Sequence, residues 1–331
     1  MVPASRRGFV LTLSAGSSVG LAGCLSAPEN QNSTSTDTES EPDPSDDSVQ
    51  SLPDFPEDTA SDDCPPFDDA DQVACYDAVD PESIPLVLIP ETQSVQPNES
   101  TDFTLRNRSD QQFNTNIYAW QLYKRVDGEW YYVMPQESIQ PLTPLEAGDD
   151  HTWTATVETG RVSDGEPIEE LRYDEPLTTA GLGGGHYAFG IDGWFTAGST
   201  EESIAVAAGF ELETDPLELA PTSAISETEW NGETLVARST RGEPDDDSDQ
   251  PEWYILERIE QADTTPERVI VEQVVRNHQL RDAIALSRNY DANRVRIEEF
   301  SRAHPPFGID DVRYYEFQGT YYRVTTTEGS S

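Results

Sequence analysis

"WQLYKRVDGEWYYV", residues 120–133, carries a strong structural signal. Two aromatic-rich segments flank Asp127-Gly128, a dipeptide typical of the type I′ turn, in which both central residues need a positive φ. Large side chains recur at every second position of the first segment, as in a strand with one face on a core. The stretch therefore predicts a β-hairpin that belongs to a larger β-sheet.

The same period of two continues on both sides of the hairpin. Seven segments are predicted to be strands: "IPLVLI" (84–89), "TDFTLRN" (101–107), "IYAWQLYKR" (117–125), "EWYYVM" (129–134), "HTWTATV" (151–157), "HYAFGI" (186–191) and "SIAVAAGFELE" (203–213). Short strands with turn signals and no long helical pattern between them predict a β-sandwich within residues 64–220. The Gly-rich run at 181–185 precedes a strand and lacks the Gly-Lys-Ser/Thr ending of a phosphate loop, so we expect a flexible turn there.

Residues 221–331 are predicted to form a second, small α+β domain. "EWNGETLVARST" (229–240) contains an Asn231-Gly232 hairpin signal, and "EWYILERIE" (252–260) is typical of a strand. "RYYEFQGTYYRVTT" (313–326) predicts a closing hairpin that turns at Gln318-Gly319. The two segments between them, 265–280 and 281–303, are predicted to be helical, with Thr265 as the first cap. The whole chain is therefore expected to be mainly β.

A family resemblance accompanies these patterns. "FTLRNRSDQQF" (103–113), "WQLYKRVDGEWYYV" (120–133), "LEAGDDHTWTATV" (145–157) and "GHY" (185–187) are similar, in order and spacing, to a bacterial immunoglobulin-like domain of exported proteins. The match spans about residues 84–213, with Ala188 where that family usually has an arginine and a longer insertion at 158–184. The resemblance implies an immunoglobulin-like sandwich and brings no catalytic residue with it.

The first 24 residues carry an export signal. Phe9 to Ala22 is apolar but diluted by serine, threonine and glycine, and it is shorter than the roughly 20 apolar residues that span a bilayer. "SRRGFV" (5–10) resembles a twin-arginine export motif, in which Arg6 and Arg7 are required, and "LAGC" (21–24) resembles a lipobox. Residues 1–23 are thus predicted to be a signal peptide, and Cys24 the lipid-attachment site that holds the chain on the outer face of the cytoplasmic membrane.

The composition is strongly acidic. Asp and Glu number 64 against 20 Lys and Arg, and removal of Arg6 and Arg7 with the signal takes the formal net charge from −44 to −46. A nucleic-acid ligand is excluded, because binding phosphates needs a basic surface. Only one basic residue, Lys124, is a lysine. The composition resembles that of proteins from extreme halophiles, and with the signal it resembles a haloarchaeal lipoprotein.

Residues 24–63 are predicted to be a disordered acidic tether, since they hold too few apolar side chains to form a core. Three Asn-X-Ser/Thr sequons, at Asn32, Asn98 and Asn107, are candidate glycosylation sites on an exported protein. Cys64 and Cys75 are left when Cys24 carries lipid, and an even pair at short spacing outside the cell predicts a disulfide.

Motifs for metal or catalytic chemistry are incomplete. Asp245, Asp247 and Asp249 match the start of a calcium loop, but Gln250 and Leu256 replace the glycine and glutamate that such a loop requires. The four histidines, His151, His186, His278 and His304, lie on separate predicted elements. We therefore predict no metal ligand, no cofactor and no catalytic residue.

Three classes of function stay open. The first is a non-enzymatic surface protein with a binding, adhesion or envelope-assembly role. The second is a protease-inhibitor-like or envelope-regulatory module, and the third is an enzyme in residues 221–331. For the first, the candidate contact surface toward a surface protein or glycan is formed by the hairpin aromatics Trp120, Tyr123, Trp130 and Tyr131, with packing in the core as the alternative.

Overall fold

The computed structural model describes residues 53, 55, 64–67, 70–135, 141–166, 168, 177–197, 202–242, 252–300 and 312–327. Before Pro221 these residues form strands β1 (Gln72–Cys75), β2 (Leu86–Pro90), β3 (Ser94–Val95), β4 (Ser100–Asn107), β5 (Phe113–Thr115), β6 (Gln121–Val126), β7 (Glu129–Met134), β8 (Thr143–Leu145), β9 (Asp150–Glu158), β10 (Leu177–Ala180), β11 (Gly185–Phe195) and β12 (Ile204–Leu212). A short 3₁₀ helix spans Tyr76–Ala78. All seven predicted strands are present, and the mainly β prediction is confirmed.

These strands form two sheets. In the larger one, strands β1-β12-β11-β5-β8 lie side by side, while β6 pairs with β11 and β7 extends from β6; the smaller sheet has the order β10-β9-β4-β2. The predicted turn between β6 and β7 is present, with positive φ at Asp127 (52°) and Gly128 (86°). Both values match the type I′ geometry expected of this dipeptide.

An aromatic core fills the space between the two sheets. The Phe189 ring of β11 stacks on Phe103 of the smaller sheet, with 4.6 Å between centroids, and also contacts Trp120 and Trp153. The other face of the larger sheet is covered by the segment around Phe67, whose ring lies 5.3 Å from that of Tyr123. Cys64 and Cys75 form a disulfide, as predicted, and they belong to the small cluster on this second face.

After Pro221 the described residues form strands β13 (Ile225–Asn231), β14 (Thr234–Ser239), β15 (Glu252–Ile259), β16 (Glu267–Val269), β17 (Arg294–Glu299), β18 (Val312–Phe317) and β19 (Thr320–Thr327), and helices α1 (Val271–Val274) and α2 (His278–Asn289). The strand order is β13-β14-β17-β15-β19-β18-β16. Helix α2 packs on one face through Leu280, Ile284 and Leu286, against Tyr254 and Leu256 among others. Among the described residues, no helix has the length and apolar character needed to cross a membrane.

The two long helical predictions in this region were wrong in part. Residues 267–269 form β16, and residues 294–299 form β17, whose alternate residues Val295 and Ile297 point into the core. Helix α1 begins after Ile270 and not at Thr265, and helix α2 begins after Asn277, whose side chain accepts a hydrogen bond from the Leu280 amide. It ends before Asp291, which has a φ of 49°. In the first hairpin, Asn231 pairs with Thr234, so the two turn residues are Gly232 and Glu233.

Candidate functional site

Two of the four aromatic residues predicted to bind a partner are buried. Trp120 is 5% exposed within the core between the sheets, and Tyr123 is 6% exposed on the opposite face, against Phe67. Both residues therefore follow the alternative of packing in a core and are not available as a contact surface, because the larger sheet is covered on both faces here: the second sheet covers one side and the disulfide-linked segment covers the other.

The remaining two aromatics are half-buried and engaged by neighbours. Trp130 lies between Arg125, whose guanidinium is 5.8 Å from the ring, and His186, whose ring is 5.5 Å away. The Tyr131 hydroxyl donates to Glu129, and burial together with this bond raises the pKa of Tyr131. The hairpin therefore does not form the open aromatic surface that was predicted.

The free edge of the hairpin is occupied by the C-terminal part of the same chain. The Gln273 side chain donates a hydrogen bond of 2.9 Å to the backbone carbonyl of Tyr132 in β7. Arg268 forms an ion pair with Glu129 at the start of the same strand. These contacts make β7 an intramolecular docking surface between the sandwich and residues 221–331.

A buried ion pair lies behind this docking surface. Lys124, the single lysine of the chain, is 2.6 Å from Glu272, and their side chains are 9% and 1% exposed. Lys124 also donates to the carbonyls of Gly183 and Gly184, so that all three donors of its ammonium group have an acceptor. Glu272 in turn accepts from the Gly183 amide.

The Gly-rich run at 181–185 supplies the two backbone carbonyls that accept hydrogen bonds from Lys124. A Cβ atom on Gly184 would lie 1.9 Å from the Thr214 carbonyl oxygen, and one on Gly183 would lie 2.4 Å from the Leu217 nitrogen. These glycines therefore allow a close approach of two backbone segments, a role that the expectation of a flexible turn did not include. Arg276 adds two bonds, to the carbonyls of Ala180 and Gly181.

Burial shifts the pKa values of two groups beside the Lys124–Glu272 pair. Desolvation, with a smaller contribution from Glu272, raises the pKa of Tyr187 well above its usual value, and the hydroxyl donates to the Gly183 carbonyl. Desolvation also lowers the pKa of Arg276 to about 10. The charged groups face one another and not an open cavity, so the cluster is suited to holding the two parts of the chain together.

A second buried network anchors the connection between the two parts. Arg241 binds both Asp282 at 2.7 Å and Glu299 at 2.9 Å, and these carboxylates are 0% and 1% exposed. Asp282 also accepts hydrogen bonds from the amide and hydroxyl of Thr222. Arg281, fully buried, donates to the carbonyls of Val162, Glu166 and Ala220. This network ties residues 162–166 and the linker to helix α2.

The histidines do not converge on a site. His278 begins helix α2, and burial lowers its pKa. His151 and His186 lie on separate strands, β9 and β11, and His304 lies outside the described residues. Within the described ranges, no group of three or more His, Cys, Asp or Glu residues is placed to hold a metal ion. The acidic loop with Asp245, Asp247 and Asp249 also falls outside those ranges.

A cleft of about 650 Å³ with a mixed polar and apolar lining opens between the insertion and the linker. Its volume falls within the range of small-molecule sites. Its lining residues are contributed by three segments: Glu158–Ser163, Gly181-Leu182 and Thr214–Glu218. The guanidinium of Arg161 is 2.9 Å from Glu158, so its charge is already paired within the cleft.

The sequons differ in accessibility. Asn98 is exposed at a tight turn with a φ of 62°. Asn107 is 0% exposed, and its amide nitrogen donates to the carbonyls of Gln111, Leu145 and Glu146. The glycosylation prediction at Asn107 was wrong, because the nitrogen that would carry the glycan is buried in these bonds. Asn32, Arg6, Arg7 and Cys24 lie outside the described residues.

Two exposed aromatic residues were not identified from the sequence. Trp230 of β13 and Tyr290 after helix α2 are 52% and 46% exposed, and the Tyr290 hydroxyl is 3.2 Å from that of Thr228. Trp230 stands opposite the buried Leu235 and so lies on the helix-bearing face at the sheet edge. The available signal was the alternation of Trp230 with Glu227 and Glu229, directly before a hairpin turn.

Comparisons with known proteins give little further information. No family model matches the chain, and no curated protein is significantly similar to it. One structurally similar chain is Spo0M, a sporulation control protein from Bacillus subtilis, at 15% identity and a TM-score of 0.22. The similarity covers 39% of this chain and 49% of that chain. The chain therefore spans about half the length of that structure, and similarity at this level carries no argument about function.

Proposed function

We propose that this protein is a lipid-anchored protein on the outer face of the cytoplasmic membrane of a halophile, where it binds a partner without catalysing a reaction. In this proposal, residues 1–23 are a twin-arginine signal, residues 24–63 are a tether, and the sandwich is an immunoglobulin-like domain. The observation that carries it is the spacing of Arg6-Arg7 and the lipobox cysteine Cys24 around a short, weakly apolar segment.

The folded part supports a binding role more than an enzymatic one. Its buried charged groups are engaged in two structural networks, around Lys124–Glu272 and Arg241–Asp282, that connect segments distant in sequence. Buried charges that are paired and hydrogen-bonded in this way stabilise an arrangement of elements. A folded unit held by a charged tether is suited to presenting a contact surface away from the membrane.

The anchor is tested by replacing Cys24 with serine in the producing cell. We expect Cys24→Ser to leave the precursor unprocessed or to release the protein into the medium, and mass spectrometry of the wild-type mature N-terminus should show a lipid on Cys24. The Cys64→Ser/Cys75→Ser double variant is the matched control, and its N-terminus should still be lipidated. A wild-type chain that begins elsewhere, or that has an unmodified Cys24, would contradict the proposal.

Export is tested separately with Arg6→Lys/Arg7→Lys. Because the resemblance is to a signal that requires two arginines, we expect this variant to accumulate as a cytoplasmic precursor. Normal export of the double-lysine variant would contradict the twin-arginine assignment but would leave the lipid assignment intact.

A further inference from the structure

Strand β13 lies at the edge of the C-terminal sheet. It is the first strand in the sheet order, and among the strands that the structure describes it pairs with β14 alone. Asn231 and Thr234 close the hairpin, so the backbone groups of Asn231 and Glu229 point toward β14, and those of Thr228 and Trp230 point outward. Within the described ranges, no backbone hydrogen bond to these outward groups is present. Such an edge is a template for another strand.

The two faces of this edge have different chemistry. On the helix-bearing face, Trp230 and Tyr290 are both exposed, and the Tyr290 hydroxyl lies 3.2 Å from that of Thr228, two residues before Trp230; we call these two side chains the Trp230–Tyr290 shelf. On the other face, the side chains of Glu227 and Glu229 are 69% and 70% exposed. The guanidinium nitrogens of Arg238 form ion pairs with the carboxylate oxygens of Glu227 at 2.9 Å and Glu229 at 4.0 Å. The same guanidinium also lies 3.6 Å from the Glu298 carboxylate. The outer face at β13 therefore has excess negative charge.

We propose that β13 binds an extended polypeptide segment of a partner protein by strand addition. The segment would place an apolar side chain on the Trp230–Tyr290 shelf and basic side chains against Glu227 and Glu229. Backbone hydrogen bonds to Thr228 and Trp230 would supply affinity, and the alternating side chains would supply specificity. The inference rests on the proposed binding function and names the contact surface and the chemistry of the partner.

A second copy of this chain fits the edge less well. Antiparallel self-pairing centred on Thr228 would place Glu227 of each copy opposite Glu229 of the other copy, so that two Glu–Glu pairs would form. Like charges directly opposite each other destabilise a strand pair. The chain also carries a formal net charge of −44, which adds repulsion between copies. An extended segment with basic residues at alternate positions removes both conflicts.

The experiment uses the full lipidated protein in detergent micelles at 2 M KCl, where non-specific attraction to the acidic surface is screened. The probe is a fluorescent twelve-residue peptide in which valine and arginine alternate. The control peptide has the same composition in blocks of two, so that no single face is basic. We expect the alternating peptide to bind at least tenfold more tightly, and hydrogen exchange to show new protection at the Thr228 and Trp230 amides.

Variants then locate the site. Trp230→Ser and Glu227→Gln/Glu229→Gln should each weaken binding at least fivefold, while Leu142→Ser, at an exposed apolar residue elsewhere, should not change it. Thr228→Pro should abolish binding, since the lost N–H points away from β14. An alternating peptide N-methylated at every residue, which leaves no N–H donor on either edge, should also fail to bind, and this test does not depend on the folding of Thr228→Pro.

Several results would overturn the proposal. Equal binding of the two peptides, insensitivity to Trp230→Ser, or binding of the N-methylated peptide would each exclude strand addition at β13. A peptide-free dimer in sedimentation that Trp230→Ser dissociates would assign the edge to a second copy. None of these results affects the Cys24→Ser experiment, so failure of this inference is distinguishable from failure of the membrane anchor.

Discussion

At the scale of single residues, the position of Lys124 is informative. The chain uses arginine at 19 of its 20 basic positions and keeps its one lysine inside the molecule, against Glu272. An ammonium group is compact and has three donors, which here match one carboxylate and two backbone carbonyls. The pair is stable as a pair, but either member alone would be a buried, uncompensated charge.

Lys124→Met is therefore expected to lower the free energy of unfolding by about 3–5 kcal/mol, because it leaves the Glu272 carboxylate buried without its cation. Lys124→Met/Glu272→Met should recover most of this loss. The measurement is urea unfolding in 3 M KCl. Arg106→Gln breaks an exposed pair with Asp150 and serves as the control, with an expected change below about 1 kcal/mol. A Lys124→Met effect no larger than the control would contradict the assignment.

Two buried tyrosines are expected to contribute to the loss of stability at alkaline pH. Burial raises the pKa of Tyr187 and Tyr254 well above 10, so between pH 10 and their folded pKa values the unfolded chain has released protons that the folded chain retains. Their stabilising contribution is complete below pH 10 and is lost as the pH rises, with a slope of up to about 1.4 kcal/mol per pH unit for each. Arg276, whose pKa is lowered to about 10, acts in the opposite direction but is a single group.

We therefore expect the melting temperature to fall steeply above pH 10. Tyr187→Phe and Tyr254→Phe should be less stable at pH 8 but should show a flatter decline, because a titrating group has been removed. The measurement is thermal unfolding from pH 8 to 11.5 at constant molar salt. An unchanged slope in both variants would mean that other groups control alkaline unfolding.

At the scale of elements, the β6–β7 hairpin shows how neighbours decide the role of a strand. The turn at Asp127-Gly128 and the strand alternation are local properties, and both were predicted correctly. Which aromatics face solvent depends on the disulfide-linked segment over Tyr123 and on helix α1 beside β7, where Gln273 binds the Tyr132 carbonyl. The Gly-rich run before β11 is shaped in the same way by distant segments.

Gly184→Ala is expected to destabilise the fold by more than about 3 kcal/mol, because the added methyl group would overlap the Thr214 carbonyl and displace the acceptors of Lys124. Chemical unfolding in molar KCl measures the effect. Gly319→Asn is the control: its φ of 74° is tolerated by asparagine, and no heavy atom lies within 4 Å of a Cβ there. Similar small effects for both variants would indicate that the backbone at 184 adapts.

At the scale of the whole molecule, charge dominates. All described residues belong to one compact unit, Val49–Ser331, in which two sheet systems are joined by buried ion pairs such as Lys124–Glu272. Around them, the chain has 64 acidic side chains and only 20 basic ones. Repulsion of this size loosens a fold in dilute buffer, and at 1 M salt the Debye length shortens to about 3 Å.

Circular dichroism should therefore show a cooperative, β-rich protein in 2–4 M KCl that loses structure as the salt is removed. The melting temperature should rise with salt, because screening relieves repulsion among the carboxylates more than it weakens the buried pairs. Sucrose at matched water activity is the control for solute exclusion from the surface. Equal melting temperatures in high and low salt would mean that the acidic surface contributes to solubility alone.

The sequence by itself determined the local features of this protein. Turn dipeptides that need positive φ located the hairpins at Asp127-Gly128 and Gln318-Gly319, a period of two identified the strands of the sandwich, and the spacing of Cys64 and Cys75 indicated their bond. The alternation of Val295 and Ile297 was also present, but neighbouring residues with good helix propensity masked it.

Only the tertiary structure decided which surfaces are covered. Lys124 and Glu272 are 148 residues apart, Arg281 binds carbonyls more than 100 residues away, and Trp230 is exposed because β13 ends its sheet. Periodicity reports which residues share a face of a strand. Whether that face is buried depends on segments brought against it from elsewhere in the chain, and this is why Trp120 and Tyr123 lie in cores while Trp230 remains exposed.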